Sequence, residues 1–225
     1  MMSISLPDAV LAIGSLGTAS FALVDASKAV LGGISRWGFG HVDRVLARLY
    51  PPAVDAKDED NPLGLRSVRA TLFANWLNGM ALADQRSIAK TLVKLRLDPE
   101  NAPSLAARTG VDRAKLVSIA AKYATGEALD HAEQDAAGRF DLLLTTLLEE
   151  GYQRADQAYR NGSKIAAAAV AVVLALLGNW ALGADKIGWL EAFIAGLLAA
   201  PLAPVSKDLA SALQASVRAM QILRR

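Results

Sequence analysis

Ile165–Ala184 reads IAAAAVAVVLALLGNWALGA, twenty residues without a charged side chain. At about 1.5 Å rise per residue, a helix of this length matches the ~30 Å hydrocarbon core of a bilayer, so the stretch is expected to cross a membrane. Asp185-Lys186 then forms a two-residue charged turn, and Ile187–Ser206, IGWLEAFIAGLLAAPLAPVS, is apolar again apart from Glu191. So short a turn between two apolar rods implies a transmembrane hairpin over 165–206. Pro201 and Pro204 lie near its far end, where each removes a backbone donor and is expected to kink the helix or loosen its last turns.

A third apolar stretch begins the chain. Ser5–Val24 carries only Asp8 as a charge, and a helical pattern continues through Asp25 and Lys28 to about Ile34. The first 24 residues contain no Lys or Arg, whereas a secretory signal needs a basic n-region, so 5–34 is expected to be a retained span. Composition agrees with three spans: 53% of the 225 residues are apolar while aromatics supply only 6%, and mean hydropathy is +0.27. A net charge of +2 with this apolar content excludes a disordered chain, and zero Cys with two separated His exclude a disulfide scaffold and a Cys-based zinc site.

Basic residues near the span ends set the expected orientation. Arg36, Arg44, Arg48 and Lys57 follow the first span, Arg154, Arg160 and Lys164 precede the second, and Lys207, Arg218, Arg224 and Arg225 follow the third; Lys186 stands alone on the other side. The positive-inside rule then places the N-terminus outside, and the central region and C-terminal tail in the cytoplasm of a bacterial-type inner membrane. Trp180 and Trp189 bracket the outer turn, while Trp37, Phe39, Tyr159, Arg160 and Lys164 fall at the inner boundary, as amphipathic side chains at headgroup depth should.

Gly14, Thr18, Ala22 and Ala26 recur at every fourth position and leave one side of the first span without bulk, so a second helix is expected to pack there. The Ala-rich second span is similarly slim. These faces imply intramolecular packing or a homo-oligomer. Asp25 and Lys28 stand three residues apart near the inner boundary, and because an unpaired charge at the membrane centre costs at least ~2.5 kcal/mol they are expected to pair with each other or to snorkel. Asn179 is expected to hydrogen-bond between helices.

Between the spans, 35–64 reads as a juxtamembrane helix (Val42–Tyr50, stopped by Pro51-Pro52) and a polar linker whose Asp58, Glu59 and Asp60 are solvated charge. Residues 65–164 read as an all-α cytoplasmic domain. Leu65, Val68, Leu72 and Trp76 make one stripe; a helix from Asp84 to Leu97 carries Ile88, Leu92 and Leu95; and short helices follow over Ser104–Thr109 and Asp112–Ala124. A long helix from Gly126 to Tyr159 has Phe140, Leu143, Leu144, Leu147 and Leu148 as its core, and Asn161-Gly162 is expected to interrupt it before the membrane. The tail, 207–225, reads as an amphipathic helix suited to the inner leaflet or to the domain.

Within that domain LAARTGVDRAKLVSI, Leu105–Ile119, resembles the helix-turn-helix signature of bacterial DNA-binding domains: Ala106, Gly110 and Leu116 match its small, turn and core positions. The resemblance covers about fifteen residues and implies a second helix offering Arg113 and Lys115 to a major groove, with Arg108 nearby. Asp112, Glu127, Asp130, Glu133 and Asp135 oppose the basic residues, so phosphate attraction is weak and the hairpin is read as architecture rather than as a nucleic-acid site.

The chain holds no GxxxxGK[ST], no GxSxG and no HExxH. Neither catalytic residues nor a cofactor or metal ligand set is expected. The sequence therefore points to a non-enzymatic, oligomeric membrane anchor or scaffold that recruits protein partners through its helical domain, with a gated pore as the alternative and a membrane-tethered DNA-binding regulator behind it.

Overall fold

A computed structural model describes residues 6–29, 32–50, 61–182 and 188–205. Among them every regular element is helical and none is a strand: α1 (Leu6–Ala26), a 3-10 turn (Ser27–Ala29), α2 (Ser35–Leu49), α3 (Leu65–Leu77), α4 (Leu82–Leu95), α5 (Ala102–Thr109), α6 (Arg113–Thr125), α7 (His131–Leu182) and α8 (Trp189–Val205). The chain divides into two compact units, residues 35–159 and residues 1–34 with 160–225. The acidic stretch 58–60, the Asp185-Lys186 turn and the expected tail helix 207–225 lie outside the described residues.

Residues 35–159 form a helical bundle. Val42 and Leu46 of α2, Leu72 of α3, Leu116 and Ile119 of α6, and Leu144 and Leu148 of α7 are fully buried in one core. Expected to be only a juxtamembrane piece from Val42, α2 instead starts at Ser35 and is a full member of the bundle. Gly38 and Gly151 explain why. A Cβ at Gly38 would stand 2.8 Å from the Ala155 carbonyl oxygen, and one at Gly151 2.9 Å from Val45 Cγ2, so α2 and α7 approach closely at points where one of the two carries a glycine. Trp76 closes that end: its indole donates to the Ser35 carbonyl at 3.0 Å and its ring meets Tyr159 edge-on at 6.1 Å.

The expected Ile88, Leu92 and Leu95 stripe of α4 is turned by one residue position. Gln85, Ala89 and Val93 face the core, Ile88 and Leu92 pack at its margin, and Leu95 is 60% exposed. Small Ala89 lets the helix come close, and the buried Gln85 donates its amide nitrogen to the Met80 carbonyl at 2.6 Å while its amide oxygen has no partner among the described residues.

The short helices follow their local signals. α5 ends at Gly110, which takes the left-handed conformation (φ 72°), and α6 begins after Asp112, whose carboxylate accepts from the Lys115 backbone N–H at 2.8 Å. α7 starts with a reciprocal cap: Asp130 accepts from the Glu133 N–H, and Glu133 accepts from the Asp130 N–H, both at 2.8 Å.

In the other unit, α1 ends at Ala26 rather than near Ile34. The Ser27 hydroxyl donates to the Val24 carbonyl at 2.6 Å, and the chain turns through Gly32 and Gly33 with φ of 78° and 48°, a backbone that only glycine adopts without strain. α7 runs through Asn161-Gly162 without the expected break. One glycine in a helix costs roughly 1 kcal/mol relative to Ala, which strong helix formers on both sides outweigh.

α8 touches both other apolar helices of its unit. A Cβ at Gly196 would lie 2.5 Å from Val172 Cα of α7, and one at Gly17 of α1 would overlap the Ala199 carbonyl oxygen of α8. Among the described residues two helices, not three, are long and apolar enough to cross a membrane: Asp8–Ala26 and α7. α8 is apolar but shorter over its described residues, and at its start Glu191 accepts the Gly188 N–H at 3.1 Å.

Candidate functional site

Residues that water would ordinarily force inside are outside in the apolar unit. Its buried positions are small or polar: Gly14, Gly17 and Ser20 of α1, Ala167, Ala171 and Asn179 of α7, and Ala192, Gly196, Ala199 and Ala203 of α8, with Val24 the largest apolar side chain among them. Its surface is large and apolar: Leu23, Ile165, Val173, Leu177, Leu190 and Leu197 are all exposed. In water this order forfeits the burial of large side chains, each worth about 1.5–3 kcal/mol; in lipid, where helices associate by close packing, it is the favourable order. The bundle has the opposite arrangement, with its Leu, Phe and Ile inside.

Hydroxyls of α1 fit the same environment. Ser15, Thr18 and Ser20 donate to the carbonyls of Leu11, Gly14 and Leu16, four residues back, at 2.7, 3.0 and 2.8 Å. Each polar group is satisfied within its own helix, as hydrocarbon requires. Asn179 is buried, and its side-chain nitrogen has no acceptor among the described residues.

The expected small-residue face of α1 is corrected. Of Gly14, Thr18, Ala22 and Ala26 only Gly14 is buried; the contact with α8 runs through Gly17, and Ser20 and Val24 are the other buried positions of α1. A four-residue step advances about 400° around a helix, so that series drifts some 40° per step away from Gly14 on the side opposite to the real contact. Asp25 and Lys28 do form an ion pair, with Asp25 largely exposed.

Among the expected interface residues, Trp37 is 78% and Trp180 71% exposed, Trp189 is half exposed, and Arg160 and Lys164 are exposed. Tyr159 differs: its ring packs on Trp76 at the margin of the bundle core, and Tyr152, left unassigned by the sequence, is inside that core, where burial pushes its phenol well above the usual value.

The bundle surface carries two basic sites that the sequence did not single out. Between α2 and α7, His41, Arg44, Arg48 and Arg154 surround a small hollow, with Arg44 Nη2 3.0 Å from His41 Nδ1 and Arg154 paired to Glu150 at 2.7 Å. Partial burial, then the charges of Arg44 and Arg154, hold the His41 pKa below its ordinary value. Between α2 and α3 lies a groove of about 380 Å³, with Phe39 and Phe73 at its base and Arg36, Arg66 and Arg69 on its rim. Interleaved charge marks the α4 and α7 faces instead: Lys90 and Lys94 reach Asp141 at 3.1 and 3.0 Å and hold its carboxyl below the usual range.

In the α5–α6 hairpin Ala106, Val111, Leu116 and Ile119 are buried and Arg108, Arg113 and Lys115 are exposed. Its second helix is tied to α7, since Glu133 accepts from Ser118 at 2.7 Å and from Lys122 at 2.6 Å. Those bonds hold the Glu133 carboxyl at a pKa of about 2. Among the described residues no three His, Asp or Glu converge as metal ligands.

No protein-family model, curated protein or solved structure matches this chain.

Proposed function

We propose that the chain is a non-enzymatic integral membrane protein of a bacterial-type inner membrane, with α1, α7 and α8 embedded as three spans. Its helical domain faces the cytoplasm and holds protein partners, so that the molecule acts as an oligomeric anchor or scaffold for an envelope-associated assembly. The observation that carries this reading is the inverted order of the apolar unit, small residues within and Leu, Ile and Val without. A span shorter than the hydrocarbon thickness is accommodated by local thinning and by flanking Trp, here Trp189, so the length of α8 is compatible with insertion.

Orientation rests on the basic residues that follow α1 and precede the apolar part of α7. Partner binding draws support from Leu95, Tyr123 and Leu142, large side chains more than half exposed on the bundle. Self-association draws on Thr18, Ala22 and Ala26, slender positions of α1 that the contact with α8 leaves uncovered.

The absence of Cys makes any introduced thiol the only one. In intact spheroplasts Ala107→Cys, on the bundle, should resist a membrane-impermeant maleimide, whereas Gly188→Cys should react; the reverse pattern would invert the orientation. After extraction in mild detergent the protein should be recovered as a homo-oligomer or with co-purifying subunits, and consistent recovery of a lone monomer would contradict the scaffold. Liposomes holding the purified protein should retain a trapped dye; leakage would favour a pore.

A further inference from the structure

The α2–α3 groove combines two chemistries that seldom meet on an ordinary domain surface. Its base is aromatic: Phe39 and Phe73 lie 5.1 Å apart with their rings inclined at 60°. Gly40 and Ala70 keep its walls free of bulk, which leaves the volume of about 380 Å³ open. Its described lining carries three guanidinium groups, Arg36, Arg66 and Arg69, and one carboxylate, Asp43. Asp43 binds Arg69 Nε and so holds that side chain over the groove.

From this arrangement we propose that the groove binds the headgroup and proximal acyl segment of an anionic phospholipid of the phosphatidylglycerol type. Guanidinium forks match phosphate oxygens in geometry as well as charge, and the two phenyl rings offer a dry surface to the first methylenes of the lipid. Position favours a lipid over an acidic peptide: only Ser27–Ile34 separate α1 from α2, and Arg36 with exposed Trp37 opens the groove-bearing helix. Basic segments that follow a membrane span closely in sequence collect anionic headgroups for the same reason. The inference rests on the membrane reading above, and its test is separable from that reading because it compares lipids bound to a protein already in detergent.

Full-length protein in a neutral detergent is titrated with phosphatidylglycerol, phosphatidylcholine, inorganic phosphate or an oligo-glutamate peptide, and retained ligand is read by native mass spectrometry. The wild-type chain should retain phosphatidylglycerol at least tenfold more tightly than phosphatidylcholine. The double variant Arg36→Ala/Arg66→Ala should lose that preference, Arg36→Lys/Arg66→Lys should keep part of it, and Arg113→Ala/Lys115→Ala should leave it unchanged. Equal retention by the wild type and the double Ala variant would overturn the proposal, as would equal retention of the two lipids. Inorganic phosphate bound as tightly as the lipid with the same arginine dependence would remove the apolar half of the site, and arginine-dependent binding of the peptide alone would assign the groove to a protein partner; either result also overturns it.

Discussion

Gly17 of α1 lies so close to Ala199 of α8 that a methyl group at position 17 would overlap the Ala199 carbonyl oxygen and stand 3.1 Å from Ala203 Cβ. A backbone carbonyl in a helix cannot rotate aside, so the two helices would have to separate. Gly17→Ala should therefore lower the stability of the apolar unit by about 1–3 kcal/mol, the usual range for overpacking. Gly178→Ala is the matched control. Nothing lies within 4 Å of a Cβ there, and helix propensity alone should make it neutral or stabilising by up to about 1 kcal/mol. Thermal unfolding in detergent gives both signs, and a Gly17→Ala midpoint at or above wild type would remove the close contact.

Glu133 should make the α6–α7 junction acid-sensitive. Its folded pKa of about 2 lies below the ordinary glutamate value of roughly 4.3. A depressed carboxyl stabilises the fold fully above the unfolded value and loses that contribution as pH falls toward the folded one. The junction should accordingly be constant in stability above pH ~4.5 and weaken progressively from there toward pH ~2. A fluorophore on Ala124→Cys would follow its melting. Glu133→Gln should melt lower at neutral pH and show a flatter profile over that interval; an unchanged acid profile in the variant would show that other groups govern it.

Trp76 joins three helices by one ring. Trp76→Phe removes the donation to the Ser35 carbonyl and shrinks a side chain that touches Phe39 and Tyr159, which should cost the bundle about 1–3 kcal/mol. Urea unfolding of the full chain in detergent, followed at a bundle probe, should show an earlier midpoint. Trp37→Phe, at an exposed position, should leave the midpoint within about 0.5 kcal/mol of wild type.

The unbroken course of α7 makes a local prediction about exchange. Backbone amides of residues 160–164 should exchange as slowly as those of 155–159, because each donates within one continuous helix. Fast exchange confined to Asn161, Gly162 and Ser163 would restore the interruption that the Asn-Gly pair suggests.

These residues also show where the sequence was readable. Local chemistry announced α5 and α6: Gly110 ends one helix, Asp112 begins the next, and Ala106 and Leu116 meet between them. Val68, Leu72 and Trp76 fixed the buried side of α3. What could not be read depends on partners distant in the chain. Gly38 and Gly151 are unremarkable as single glycines, and only their juxtaposition with Ala155 and Val45 makes α2 part of the bundle. Gly17 was hidden by a regular four-residue series whose drift around the helix carries Thr18, Ala22 and Ala26 away from α8. The α2–α3 groove was missed for the same reason, since Arg36 and Phe39 are separated from Arg66 and Phe73 by the acidic linker. A run of cations with an aromatic every third or fourth position on both flanking helices is the signal that was available.

The central claim is that lipid, not water, surrounds Leu23, Ile165, Val173, Leu177, Leu190 and Leu197. Washing membranes from expressing cells with alkaline carbonate tests it most directly, because that treatment strips peripheral proteins and leaves integral ones in the pellet. The full chain should remain with the sedimented membrane and enter solution only with detergent. Its release into the carbonate supernatant as a dispersed protein would contradict the account.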